Sequence, residues 1–212
     1  MVSSFYSSGT IMAHKWVWES EANILVMGIR NPFKLKIEIS HPWGQPILHI
    51  LIDDTRLEVL SFSENRLYLG TLSSELISRF FPVDFNHDLI WAALRGYPHL
   101  LGHRKISKPR RNQINFFDGN GKVIEVIDLH PDSLNPRRVF YPEKQINLIF
   151  SGFRESEGGI LYPLEVSISS IKGKGSLNLK NRNMVFNKNI PEQVFTIKKP
   201  PMFETVFVER TK

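Results

Sequence analysis

Cysteine is absent from all 212 residues, and that one gap removes disulfides, thiolate metal sites and cysteine nucleophiles together. It leaves the compartment open, because exported proteins also dispense with cysteine. No stretch reaches the roughly 20 consecutive apolar residues of a membrane-spanning helix, so no helical span is expected. Residues 1–10 lack a basic segment followed by a long apolar run, so an intact secretory signal is not expected there. The signatures of nucleotide and hydrolase chemistry are missing as well. Gly173-Lys174-Gly175-Ser176 lacks the upstream glycine of a phosphate-binding loop, and neither a G-x-S-x-G elbow nor a His-Glu-x-x-His helix occurs.

Motifs that superficially carry chemistry have plainer readings. His99 and His103 stand four apart, as helical metal ligands would, but Pro98 and Gly102 argue against a helix there. Asp118-Gly119-Asn120-Gly121 begins like a calcium loop, yet Lys122, Val123, Ile124 and Glu125 follow, so it reads as a hairpin turn. The carboxylate pairs Asp84/Asp88 and Asp53/Asp54 suit helix caps and turns. Neither a metal nor a cofactor is expected, and no constellation supports an enzyme.

What the chain does have is aromatic and basic. Fifteen Phe and four Trp within a 42% hydrophobic, 23% charged composition argue for a folded chain, read as one domain over 1–212 with a flexible N-terminus at 1–10. A net charge of +6 and a pI near 9.5 favour anionic partners. Lys105, Lys108, Arg110 and Arg111, followed by Arg137 and Arg138, form a candidate basic patch. A polyanion or nucleic-acid-binding β-domain using that 105–111 loop is the alternative functional class. A solvated loop is the commoner outcome for such a run.

Alternation of apolar and polar residues predicts an antiparallel meander from Ile11 to Leu72, with connections too short to cross over to a parallel neighbour. The period then changes. Ser73 or Ser74 can cap a helix with Leu76, Ile77, Phe80 and Phe81 on one face, and Asn86 or His87 a second, with Leu89, Ile90, Ala93 and Leu94, stopped by Gly96 and Pro98. Residues 100–111 break regular pattern. Strands resume from Gln113, and 188–212, with Pro191, Pro200 and Pro201, reads as an extended C-terminal segment. About eleven strands and two short helices result, in a mainly β (α+β) chain whose sheet must curl.

Within the meander, His41-Pro42-Trp43-Gly44-Gln45-Pro46 separates two alternating runs. Pro42 and Gly44 favour chain reversal, which places Trp43 at a hairpin tip where turns are normally polar. A tryptophan there suits a lipid interface or a partner's groove.

The order of these segments resembles the bacterial lipoprotein localisation factors, LolA and LolB. It is most similar to LolB, the outer-membrane receptor, in which a projecting hairpin loop carries Pro, an apolar residue and Gly. Pro42, Trp43 and Gly44 match that loop, with Trp43 where leucine is usual. Downstream, Phe81 to Asn86 followed by Leu89, Trp91, Leu94, Gly96 and Pro98 resembles the family's two helices and proline-containing link, with one extra residue between Trp91 and Gly96. Leu177, Leu179, Asn187, Phe195 and Pro200 resemble its closing strand and final segment.

The resemblance implies an unclosed antiparallel β-barrel with helices over its concave face, enclosing an apolar cavity for acyl chains. Trp16, Trp18, Leu35, Ile37, Leu48, Ile50, Leu76, Phe80, Ile90 and Leu94 are the expected cavity residues, and Pro42, Trp43 and Gly44 the membrane-interaction loop. It further implies a periplasmic protein anchored to the outer membrane through a lipidated cysteine that this chain lacks. Its partners would be lipid or lipoprotein acyl chains, the outer-membrane surface and a periplasmic carrier.

Overall fold

The computed structural model describes residues 2–14, 21–71, 79–81, 86–171 and 175–208. Six strands form the first meander, each antiparallel to the next: β1 (Ser4–His14), β2 (Glu21–Ile29), β3 (Lys34–Ser40), β4 (Pro46–Asp53), β5 (Arg56–Ser61) and β6 (Arg66–Thr71). Helix α1 (His87–Arg95) follows. A second meander then runs through β7 (Lys105–Arg110), β8 (Gln113–Phe117), β9 (Val123–Leu129), β10 (Pro136–Tyr141), β11 (Ile146–Glu155), β12 (Leu161–Ser170) and β13 (Ser176–Phe186).

Both meanders join in a single sheet along a seam between β1 and β13, where Phe5 faces Phe186 and Ile11 faces Leu179. A short 3₁₀ turn (Glu192–Val194) precedes β14 (Glu204–Val208), which pairs with β6 in parallel. The order is β14-β6-β5-β4-β3-β2-β1-β13-β12-β11-β10-β9-β8-β7, with β14 and β7 at free edges. The sheet is unclosed.

The count of about eleven strands is corrected to fourteen among the described residues, and several strands lie where none was expected. Residues 4–10, expected to be flexible, form the first part of β1, paired with β2 on one side and β13 on the other, where a Cβ on Gly9 would lie 1.9 Å from the Lys180 carbonyl oxygen. Residues 105–110, expected to be irregular, form edge strand β7; only β8 pairs with it, so Pro109 breaks no second ladder. The tail, expected to be merely extended, ends in β14. On β13 the apolar pattern breaks between Leu179 and Met184 because a register shift opposite Ser8 and Gly9 lets one continuous strand pass.

Of the two expected helices, the first falls mostly outside the described residues, although Arg79 and Phe80 are helical. The second is α1. Asn86 caps it, its Oδ1 accepting from the Leu89 N–H at 2.9 Å, and Gly96 ends it in the left-handed region at φ 78°, its N–H donating to the Ala92 carbonyl.

Burial alternates strictly along β3, where Leu35, Ile37 and Ile39 face inward and the lysines and Glu38 outward. The inward residues of the strands form one contiguous core from Tyr68 of β6 to Phe116 of β8, and α1 adds Leu89, Ile90, Trp91 and Ala93 to it. The C-terminal tail returns to the sheet, where Val206 and Val208 of β14 pack against this core. Glu192 pairs with Lys34 at one end of the sheet, while Phe203 packs edge-on against Phe62 (5.6 Å) at the other.

Candidate functional site

Most of the expected cavity residues come together on the concave face. Leu35 and Ile37 of β3 lie beside Leu48 and Ile50 of β4, with Ile37 directly opposite Ile50, and all four are buried. Phe80 and Ile90 are buried in the same cluster, and Leu94 is partly buried against it. Phe80 packs on Tyr68 at 5.2 Å, with the Arg79 guanidinium 4.5 Å from the Tyr68 ring centre. Trp16, Trp18 and Leu76 lie outside the described residues.

Helix α1 covers this face through one large side chain and two glycines. Trp91 packs edge-on against Phe5 of β1 at 4.9 Å and tilts against Phe33 at 5.9 Å. Gly28 of β2 makes the room: a Cβ there would lie 2.8 Å from a Phe5 ring carbon and 2.9 Å from a Trp91 ring carbon. Where α1 ends, a Cβ on Gly96 would lie 2.6 Å from the Pro163 ring of β12. The helix is therefore seated on both sides of the β1–β13 seam. A glycine inside an alternating strand signals close approach, but only the fold identifies the approaching ring.

Beyond α1, the connector to β7 is tied across the second meander by two polar groups that sequence reading did not single out. The Leu101 N–H donates to Glu125 Oε2 at 3.0 Å, and the Tyr141 hydroxyl donates to the His99 carbonyl at 3.2 Å. Glu125 is fully buried on the inner face of β9, and its Oε1 has no hydrogen-bond partner. Burial pushes its carboxyl up to about 7, outweighing the Leu101 hydrogen bond and the nearby His103 charge. Burial, reinforced by the charge of Glu125, also raises Tyr141. The signal for Glu125 was its parity with Ile127 in an otherwise apolar strand.

His99 and His103 point to different partners. His99 Nε2 lies 3.6 Å from Asp88, which also accepts from Arg30 at 2.8 Å, while the His103 ring packs edge-on against Phe116. Burial pushes Asp88 up, but the Arg30 hydrogen bond and the charges of His99, Arg30 and His87 together hold it below the usual carboxylate range. No metal-binding cluster occurs among the described residues.

The turn at Pro42-Trp43-Gly44 projects between β3 and β4. The His41 N–H donates to the Gln45 carbonyl and the Gly44 N–H to the His41 carbonyl, both at 2.8 Å, with Gly44 at φ 92°. Trp43 is 73% exposed, and its indole stacks flat on the His41 ring at 4.5 Å. The same end of the sheet carries a second exposed apolar residue that sequence reading missed. Met202, 92% exposed, sits in the turn that Phe203 pins to Phe62 and that the Glu204 N–H fastens to the Asn65 carbonyl. Neither Trp43 nor Met202 touches the concave face.

The basic residues lie elsewhere again. Lys105, Lys108 and Arg110 belong to β7 and Arg111 to the turn after it. Charges and a proline on a sheet edge discourage pairing with another chain, which gives this segment a structural role without a polyanion. No helix among the described residues is long and apolar enough to cross a membrane.

No family model and no curated protein matches the chain in sequence. Solved structures match it over nearly its whole length. An outer membrane lipoprotein-sorting protein domain from Vibrio parahaemolyticus superimposes with a TM-score of 0.59 at 13% identity, covering 91% of this chain and 89% of that one. The chain has the fold of a lipoprotein-sorting domain. A DUF1329 family protein from Desulfovibrio piger gives a TM-score of 0.61, also at 13% identity, covering 92% of this chain and 90% of that one. At 13% identity the likeness to both is one of fold.

Proposed function

We propose that this protein binds lipoprotein acyl chains, or other lipids of that kind, between the concave face of its sheet and the α1 cover, and passes them to the outer membrane without catalysing a reaction. The observation that carries this reading is the continuous apolar inner face from Tyr68 to Phe116, on which the short helix α1 lies. Magnitudes favour exchange. Each buried methylene contributes about 0.8 kcal/mol, so a chain of about 16 carbons gains on the order of 10 kcal/mol. Lifting α1 exposes Leu89, Ile90 and Trp91, at about 1.5–3 kcal/mol each. Opening the cover offsets part of that gain, and an acyl chain held this way can pass on without nucleotide hydrolysis where the next site binds it better.

The rim supports a LolB-like role over that of a purely soluble carrier. Trp43 is presented to solvent on a rigid turn, and an indole suits the boundary between headgroups and acyl tails. Such a protein would work in the periplasm against the outer-membrane surface and receive its cargo from a periplasmic carrier. The test is native mass spectrometry of the delipidated protein incubated with palmitate. A one-to-one adduct that competes with a fluorescent fatty acid is expected. No adduct and no displacement would overturn the reading.

A further inference from the structure

Arg95 is a half-buried cation without a counter-charge among the described residues. It ends α1 and is half-buried, with its guanidinium stacked 4.7 Å from the Tyr97 ring centre. Among the described residues it makes neither a hydrogen bond nor an ion pair. Asp88, in the first turn of the same helix, is engaged by Arg30 at 2.8 Å with His99 at 3.6 Å. The helix C-terminus favours a positive charge, but the Ala92 carbonyl that could receive a hydrogen bond already accepts from both Gly96 and Tyr97. Burial lowers the pKa of Arg95 from its ordinary value. A desolvated charge with no partner is costly unless something else supplies one.

Arg95 opens onto a cavity of about 280 Å³ that it lines together with Arg30, Trp91, Tyr97 and His99. That space admits a small polar group such as a headgroup phosphate. Two guanidinium groups and an imidazole supply donors, and two aromatic rings supply walls. Trp91, which lines the cavity, also packs on Phe5 in the core. The cavity lies at the Arg30 end of β2, opposite the Trp43 turn, because β2 and β3 run between those two ends.

We infer that this cavity is a seat for an anionic oxygen group, phosphate or carboxylate, carried by the lipid whose acyl chains occupy the concave face, with Arg95 as the residue that binds it. This deepens the lipid-binding reading and rests on it for the source of the anion, while the anion seat itself does not. Arg95 adds a charge-assisted hydrogen bond to the ligand, Arg30 and His99 stay bridged to Asp88 at the rim, and Trp91 separates headgroup from tails. A headgroup seated there would hold the cargo with its polar end away from the membrane-facing turn.

The test compares dihexanoyl phosphatidic acid, dihexanoylglycerol and inorganic phosphate by isothermal titration calorimetry on wild-type protein, Arg95→Gln and Arg95→Lys, with folding checked by circular dichroism. Wild type should prefer the phosphatidic acid over dihexanoylglycerol by about 10–100-fold. Arg95→Gln should lose that preference while keeping its affinity for dihexanoylglycerol, and Arg95→Lys should retain part of it. If neither lipid binds but phosphate does, and Arg95→Gln abolishes that binding, the seat stands with a free anion as its source and the acyl-chain reading fails. Equal binding of both lipids by wild type, or a preference that survives Arg95→Gln, overturns the seat and leaves the acyl-chain reading intact.

Discussion

Trp91 occupies the space that a side chain at Gly28 would fill, with one of its ring carbons 2.9 Å from where that Cβ would sit. The contact joins the cover to the sheet at a strand next to the seam between the two meanders. Gly28→Ala therefore forces Trp91, Phe5 or both to move. A loss of about 1–3 kcal/mol is expected, read as a fall in Tm of roughly 2–4 °C per kcal/mol for a chain of this length. Because the same contact seats the cover, palmitate uptake by the variant should quicken. An unchanged Tm and uptake rate would show that α1 is not held there.

The N-cap of α1 offers a milder perturbation of the same element. Asn86→Ala removes the acceptor for the Leu89 N–H, and a loss of about 0.5–2 kcal/mol is expected in a denaturant titration. Asn86→Asp keeps an acceptor and should restore most of that loss.

Trp43 touches His41 and Gln45 in its own turn and nothing in the core. Trp43→Glu should weaken sedimentation with anionic liposomes several-fold while leaving stability within about 0.5 kcal/mol. Met202→Glu, at the other exposed apolar point of that rim, should weaken it in the same direction, and the double variant more than either. Liposome binding that survives the double variant would remove this rim from membrane contact. Acyl-driven binding should also respond little to salt, whereas phosphate-driven binding falls steeply with ionic strength.

Glu125 gives the protein a defined pH response. Its folded pKa of about 7 lies above the ordinary 4.5, so between those values the folded state binds more protons than the unfolded one. Stability contributed by the protonated carboxyl is then fully present below about 4.5 and lost as pH rises to about 7. The effect is on the order of 3 kcal/mol at most. Glu125→Gln should flatten this slope and raise stability at pH 8, since glutamine can still accept from the Leu101 N–H. Chemical denaturation at several pH values reads the slope directly, and an identical slope in both proteins would count against burial as its cause.

The β7 edge makes a fourth kind of prediction. Replacing Lys108, Pro109 and Arg110 with threonine, valine and threonine gives the edge an unbroken donor row and leaves Lys105 as its one charge. Concentration-dependent self-association is expected by analytical ultracentrifugation. A strictly monomeric variant would mean that the edge is protected by something other than its composition.

The first meander was largely legible in the sequence because its strands alternate cleanly: Leu35, Ile37 and Ile39 carry one face and Lys36 and Glu38 the other, so period and register agree. The turn at Trp43 was legible for the same reason, being bounded by two such runs. β1 was missed at its start because Ser7 and Gly9 face the core without being apolar, which only a strand paired on both sides requires. β7 was missed because an edge strand selects for charge and proline, the composition that otherwise marks a loop. The candidate anion seat was illegible for a further reason: tertiary packing brings Arg30 of the first meander to the cavity that Arg95 and His99 line, and no local pattern encodes that.

The pairing of Phe5 with Phe186 across the seam has a consequence for how the chain reaches this state. Each meander is built from neighbours in sequence and can form locally, but the ladder between β1 and β13 closes a loop of almost the entire protein, and β14 returns to β6 only when the last strand is free to pair. Long loops are costly to close before their contacts form. Until that moment both β1 and β6 present open backbone edges, so the halves are expected to assemble late and to be most vulnerable to mispairing just before they meet.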